Sequence, residues 1–127
     1  MGDLGVRIRD DFRLVGEMAD RRNNPAGYLR ERLMRRVSDF ETRLGVDEEL
    51  GARLASSGHH EPFRLAEIGH SDPDLIIFRG ETEEGRPVEV IQHHSQVSLM
   101  LVAVAKAPGH SEPRRIGFLS AGTDEAP

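Results

Sequence analysis

The densest run of side chains able to do chemistry is Gln92-His93-His94-Ser95-Gln96, five polar residues inside a stretch that is otherwise mostly apolar. Two uses of it compete. In one, the run is a bend or β-bulge between two strands, whose amides and imidazole satisfy exposed backbone groups. In the other, Gln92, His93 and Gln96 offer donors and acceptors to a small ligand or a partner chain, while Arg79 or Arg115 supplies positive charge. A nucleophilic site can also be drawn from Glu89, His93 and Ser95, which alternate onto one face of an extended segment. Same-face neighbours on a strand stand ~6.6 Å apart, however, whereas working triads bring groups from separate elements into hydrogen-bond contact. No Gly-x-Ser-x-Gly surrounds Ser95. Hydrolase chemistry is therefore not expected, and His93 acting alone as general acid or base is the enzymatic alternative.

The histidines, at 59, 60, 70, 93, 94 and 110, all follow residue 58. Adjacent side chains of a strand point to opposite faces, so His93 and His94 cannot both ligate one ion in regular β geometry. His59 and His60 stand beside Gly58 in an expected loop, and there is no His-x-His or His-Glu-x-x-His. No metal site is expected. The glycines form neither a dinucleotide-binding nor a P-loop pattern, so no nucleotide cofactor is expected either. With no Cys, thiolate nucleophiles, disulfides and iron–sulfur clusters are closed.

Charge narrows the partners. The 17 basic and 22 acidic residues give a net −5. Residues 1–58 carry 11 of each sign, so the deficit lies wholly in the second half. Nucleic-acid binders show a basic stripe or tail, and none is evident beyond a ridge of Arg30, Arg32, Arg35, Arg36 and Arg43 on one expected helix. Nucleic-acid binding through that ridge is a third alternative. No run approaches the ~18 apolar residues of a membrane span, and Met1 to Asp10 lacks the apolar stretch of a secretory signal. The expectation is a protein of a bacterial cytoplasm, or of a virus acting there.

Hydrophobic spacing then supplies the elements. A weak helical pattern runs through Phe12, Leu14, Val15 and Met18. Asn24 before Pro25 reads as an N-cap with proline in the first turn, where its missing N–H costs nothing. From there Tyr28, Leu29, Leu33, Met34, Val37, Phe40 and Leu44 recur in steps of three and four, one stripe of a helix that Gly45 can end in a left-handed conformation. Asp47 can cap a shorter helix, through Ser56 or Ser57, that buries Val46, Leu50 and Leu54. The period then changes. Phe63 to Ile68 is short and mixed; Leu75 to Phe78, after Ser71-Asp72-Pro73-Asp74, reads as a strand; the acidic turn ending at Gly85 folds it back into Pro87 to Ile91. Val97 to Ala105 is apolar on both alternate faces except at Ser98, as in a central strand covered twice, or covered once and paired in an oligomer, with a helix as the competing reading. Ile116 to Leu119 can supply a last short strand.

The expected architecture is α+β: two or three N-terminal amphipathic helices packed on a C-terminal, mainly antiparallel sheet of about four or five strands. Residues 1–23 are expected to be a flexible or weakly helical lead, 24–119 a single domain, and 120–127 a disordered tail.

The order of these signals carries a resemblance. Asn24-Pro25-Ala26, Phe40-Glu41, Gly51-Ala52-Arg53-Leu54, Pro73-Asp74-Leu75-Ile76-Ile77-Phe78, Glu89-Val90-Ile91-Gln92-His93 with Ser95-Gln96, Leu101-Val102-Ala103-Val104 and Arg115-Ile116-Gly117-Phe118 resemble a family of small bacterial and phage proteins classed as a domain of unknown function. The likeness spans roughly residues 24 to 119 and departs from the family's pattern at His94 and at Gly45-Val46. It implies no activity, cofactor or partner. The functional expectation is a non-enzymatic binding or interaction module that self-associates as a homodimer, with Arg79, Gln92, His93, Gln96 and Arg115 as candidate ligand- or partner-binding residues. If the chain is phage-encoded, interference with host defence, by sequestering a small ligand or blocking a protein partner, is the natural extension.

Overall fold

The structure, a computed structural model, describes residue 18 and residues 21–55 and 61–117. Helix α1 (Pro25–Glu41) lies on one face of a five-stranded antiparallel sheet: β1 (Glu48–Leu54), β2 (Phe63–Ser71), β3 (Leu75–Glu81), β4 (Pro87–His93) and β5 (Leu99–Ala105). The strand order is β4-β3-β2-β1-β5. The helix starts as its sequence dictates: Oδ1 of Asn24 accepts the Gly27 N–H at 3.1 Å, Pro25 follows, and the Ala26 N–H reaches the Pro73 carbonyl at 2.9 Å. That last bond pins the helix to the β2–β3 turn.

Ala26 and Val37 of α1, Leu50 and Ala52 of β1, Leu65 and Ile68 of β2, Ile76 and Phe78 of β3, and Ile116 form the buried core. Leu29, Leu33, Met34, Phe40 and Leu44 pack around it, so the expected helical stripe is the face that meets the sheet.

The hairpin expected between Phe78 and Pro87 is present. Gly85 has φ +83°, its N–H bonds to the Thr82 carbonyl at 3.0 Å, and the Thr82 N–H bonds to the Arg86 carbonyl at 2.8 Å. A three-residue loop whose last position is left-handed requires a residue without the Cβ penalty, and glycine supplies it.

Five expectations are corrected. The helix count is lower than two or three: one full helix stands among the described residues, with single helical stretches at 21–23 and 116–117; most of the Phe12 to Met18 pattern and the 120–127 tail lie outside them. The segment from Asp47 is strand β1 rather than a helix. A spacing of four is also an even number, so Leu50 and Leu54 share a strand face as readily as a helix face, and pairing with β5 along all seven residues decides between them. The third correction concerns β5, which is an edge strand rather than a central one. Finally, Ile116 and Gly117 are helical rather than extended, and α1 ends at Glu41 with Thr42 as a right-handed C-cap, not through a left-handed Gly45.

The sheet is uneven. β3 pairs with β2 and β4 along its whole length, whereas β1 meets β2 only at Gly51–Arg64 and Ala52–Phe63. Just beyond that contact, the β2–β3 register shifts between Leu65 and Glu67. Two ribbons, β2-β3-β4 and β1-β5, are joined at one seam.

Candidate functional site

The polar run at the end of β4 is a turn built by its own side chains. The Ser95 N–H donates to Nδ1 of His93 at 3.2 Å, and the Ser95 hydroxyl lies 2.8 Å from the same nitrogen. Nδ1 is thus the acceptor, which assigns the ring proton to Nε2. His93 thereby caps a single 3₁₀ turn, His94–Gln96, and its ring lies over that of His94 with centroids 4.5 Å apart. The His94 N–H continues the ladder to the Asp74 carbonyl at 2.8 Å. Gln92, on the opposite strand face, is half-buried, and its Oε1 is buried with no hydrogen-bond partner.

The two arginines lie elsewhere. Arg79 stands opposite Glu89, four residues along β4 from His93 and therefore about 13 Å away along the strand. Its guanidinium is bracketed by Glu89 at 3.0 Å and Glu67 at 3.2 Å, and the Glu89 hydrogen bond followed by the Glu67 charge raises its pKa above the free guanidinium's. A cleft of about 360 Å³ opens beside it, lined by Arg30, Glu67, Gly69, His70 and Ile77, with His70 paired to Asp72. The acids at its margin offset the cationic charge. Arg115 serves the backbone at the other end of the sheet, donating to the Glu48 carbonyl at 2.6 Å and the Gly45 carbonyl at 3.1 Å. Of the five candidate residues, only His93 and Gln96 share a turn; Gln92 adjoins them on the other face, and Arg79 and Arg115 are apart.

Two buried carboxylates were not singled out by the sequence reading. Glu49, 2% exposed, accepts the N–H groups of Ala107 at 3.1 Å and Arg114 at 2.5 Å, meets Nδ1 of His110 at 2.7 Å, and lies 3.5 Å from Nε of Arg64. Burial alone would raise its pKa; the donors from Arg114, His110 and Ala107 outweigh that and hold it below the ordinary 4.5. Glu41, 7% exposed, takes the N–H groups of Ile116 at 2.9 Å and Gly117 at 2.8 Å, the arrangement of an acid at a helix start. Both acids fasten the segment after β5 to α1 and β1. No local pattern announces them, because every group that hydrogen-bonds to them lies 58 or more residues away.

The feature best suited to engaging another molecule is the outer edge of β5, where no strand pairs among the described residues. Lys106 N–H to Asp47 carbonyl and Ala55 N–H to Ser98 carbonyl fix the bonding parity with β1. Residues 98, 100, 102, 104 and 106 therefore bond inward, and the backbone groups of Leu99, Leu101 and Ala103 point away from the sheet. The strand Leu99–Ala105 contains no charge, no proline and no bulge, and Met100 is 48% exposed. At the opposite edge, the Thr82–Arg86 and His94–Asp74 bonds place Pro87, Glu89, Ile91 and His93 outward. There the proline removes a donor, Glu89 brings charge, and the His94–Gln96 turn ends the strand.

Among the described residues, no group of three or more His, Asp or Glu side chains is placed to hold a metal ion; His59 and His60 lie outside them. No described helix is long and apolar enough to cross a membrane. A family model described as a family of unknown function (DUF6173) matches residues 21–119. No curated protein and no solved structure matches the chain.

Proposed function

The chain belongs to the family of unknown function DUF6173, and because that description names no chemistry, we propose from the structure that it is a non-enzymatic interaction module that associates with a second copy of itself. One observation carries the reading: among the described residues, a seven-residue strand without charge, proline or bulge lies at a sheet edge. Leu99 and Leu101 pack against the domain's own core, but Met100 on the other face is 48% exposed and the outward backbone groups of Leu99, Leu101 and Ala103 have no partner strand among the described residues. Both are explained if a neighbour continues the sheet.

The state of the other candidate groups supports the same reading. His93, the residue an enzymatic role would need, spends Nδ1 on capping the 3₁₀ turn. The guanidinium of Arg79 faces two carboxylates and that of Arg115 three backbone carbonyls. A bacterial or phage source, a cytoplasmic setting and a part in host-defence conflict belong to this proposal as its finer level, and the identities of neighbouring genes test them.

Sedimentation velocity over a concentration series tests the association itself. A pairing of one strand per copy sits at the small end of protein interfaces, so a dimer that dissociates in the micromolar range is expected. A single monomeric species throughout that range would overturn the proposal.

A further inference from the structure

Resting on that reading, we infer that the second copy docks antiparallel along β5, with the two-fold axis passing at Val102, to give one ten-stranded sheet. The argument begins with hydrogen-bond parity. Only odd-numbered residues of β5 point their N–H and C=O groups outward, so an antiparallel partner must set odd residues opposite odd ones. Among the two-fold registers that satisfy this, the one that sets Val102 opposite its own copy pairs all of Leu99 to Ala105. Leu101 and Ala103 then exchange both bonds on either side of the axis. The Ala105 carbonyl already accepts from Nη2 of Arg64 at 2.9 Å, so the ladder fades there.

Side-chain size agrees with this register. Met100 falls opposite Val104, Leu101 opposite Ala103 and Leu99 opposite Ala105, so on the face that carries the core each leucine meets an alanine. A strand with large residues at one end and small ones at the other is complementary to itself only when reversed. Charge agrees as well. A two-fold brings equivalent or nearby residues together, so a charged edge is set against its own sign. The β5 edge carries no charge to repel, whereas the β4 edge would set Pro87 and Glu89 into the interface.

The absence of cysteine from the chain makes the register directly measurable. Val102 and its copy form a non-hydrogen-bonded pair with Cα atoms about 4.5 Å apart, within the span of a disulfide. Under mild oxidation Val102→Cys is expected to cross-link to itself. Met100→Cys and Val104→Cys, each four residues from its own copy's equivalent, are expected to cross-link only when mixed. Val102→Lys sets like charges face to face and should weaken the dimer at least about tenfold while leaving the circular dichroism spectrum unchanged. Self-association of the wild type without cross-linking at residue 102 would overturn the register and leave the interaction module standing. A wild type that is monomeric by sedimentation overturns both.

Discussion

Oε2 of Glu49 accepts the backbone N–H of Arg114 at 2.5 Å, across 65 residues of chain, and it does so with the Glu49 side chain only 3% exposed. The same carboxylate holds Ala107 and His110, so one acid organises residues 107–114, the stretch that follows β5.

Replacing that acid should therefore cost more than losing one contact. Glu49→Gln keeps a single acceptor oxygen and turns an NH₂ group toward backbone donors, so a loss of about 2–3 kcal/mol is expected, and Glu49→Ala should lose at least as much. Urea unfolding monitored by circular dichroism measures both. A change within error for Glu49→Gln would mean that the Ala107–Arg114 stretch is not held by this carboxylate.

The pH dependence follows from the lowered pKa. The folded protein holds the Glu49 proton less tightly than the unfolded chain does, so the stabilisation is complete above about pH 4.5, the ordinary value, and drains away as pH falls through the lower folded-state value. Unfolding free energies for wild type and Glu49→Gln should converge in acid. Parallel curves down to the acid limit would contradict the assignment.

Two glycines on neighbouring strands should respond oppositely to the same change. A Cβ built on Gly80 collides with the carbonyl of Arg64, a backbone atom that cannot step aside without breaking the β2–β3 ladder. Gly80→Ala is expected to destabilise by about 2–4 kcal/mol. On Gly69 the added carbon meets Nη1 of Arg79 at 3.5 Å and the Ile77 carbonyl oxygen at 4.0 Å, both ordinary contacts, so Gly69→Ala should stay within about 0.5 kcal/mol of wild type. Thermal melts of the pair suffice; equal losses would refute the distinction.

At the start of α1, Asn24→Ala removes the acceptor for the Gly27 N–H and should cost about 1 kcal/mol, while Asn24→Asp should restore nearly all of it. Denaturant midpoints of the three proteins decide the point. If Asp fares no better than Ala, the side chain is not acting as a cap.

What could be read in advance was whatever local chemistry governs. Asn24-Pro25 announced the helix, its three-and-four spacing marked the buried face, and the acidic turn ending at Gly85 gave the hairpin. Segments whose fate depends on distant partners were misread. Leu50 and Leu54 suit either a helix or a strand, and only β5, about fifty residues later, selects the strand. The two-sided apolar pattern of β5 is common to an internal strand and an exposed edge, so composition alone could not separate them. The candidate site shows the same division. The Gln92 to Gln96 run was visible as a bend, but its separation from Arg79 and Arg115 depends on register and topology, and Glu41 and Glu49 were indistinguishable from surface acids until their donors arrived.

The single seam between the two ribbons also orders events in time. The β2-β3-β4 meander closes through short turns and can form once residue 93 has left the ribosome, whereas β1, made earlier, has only two residues to pair with until β5 emerges. For that interval an early strand waits with its longest hydrogen-bonding edge open. Premature release of the nascent chain is thus most dangerous when it cuts between β4 and β5, leaving a finished meander with an unclaimed strand beside it.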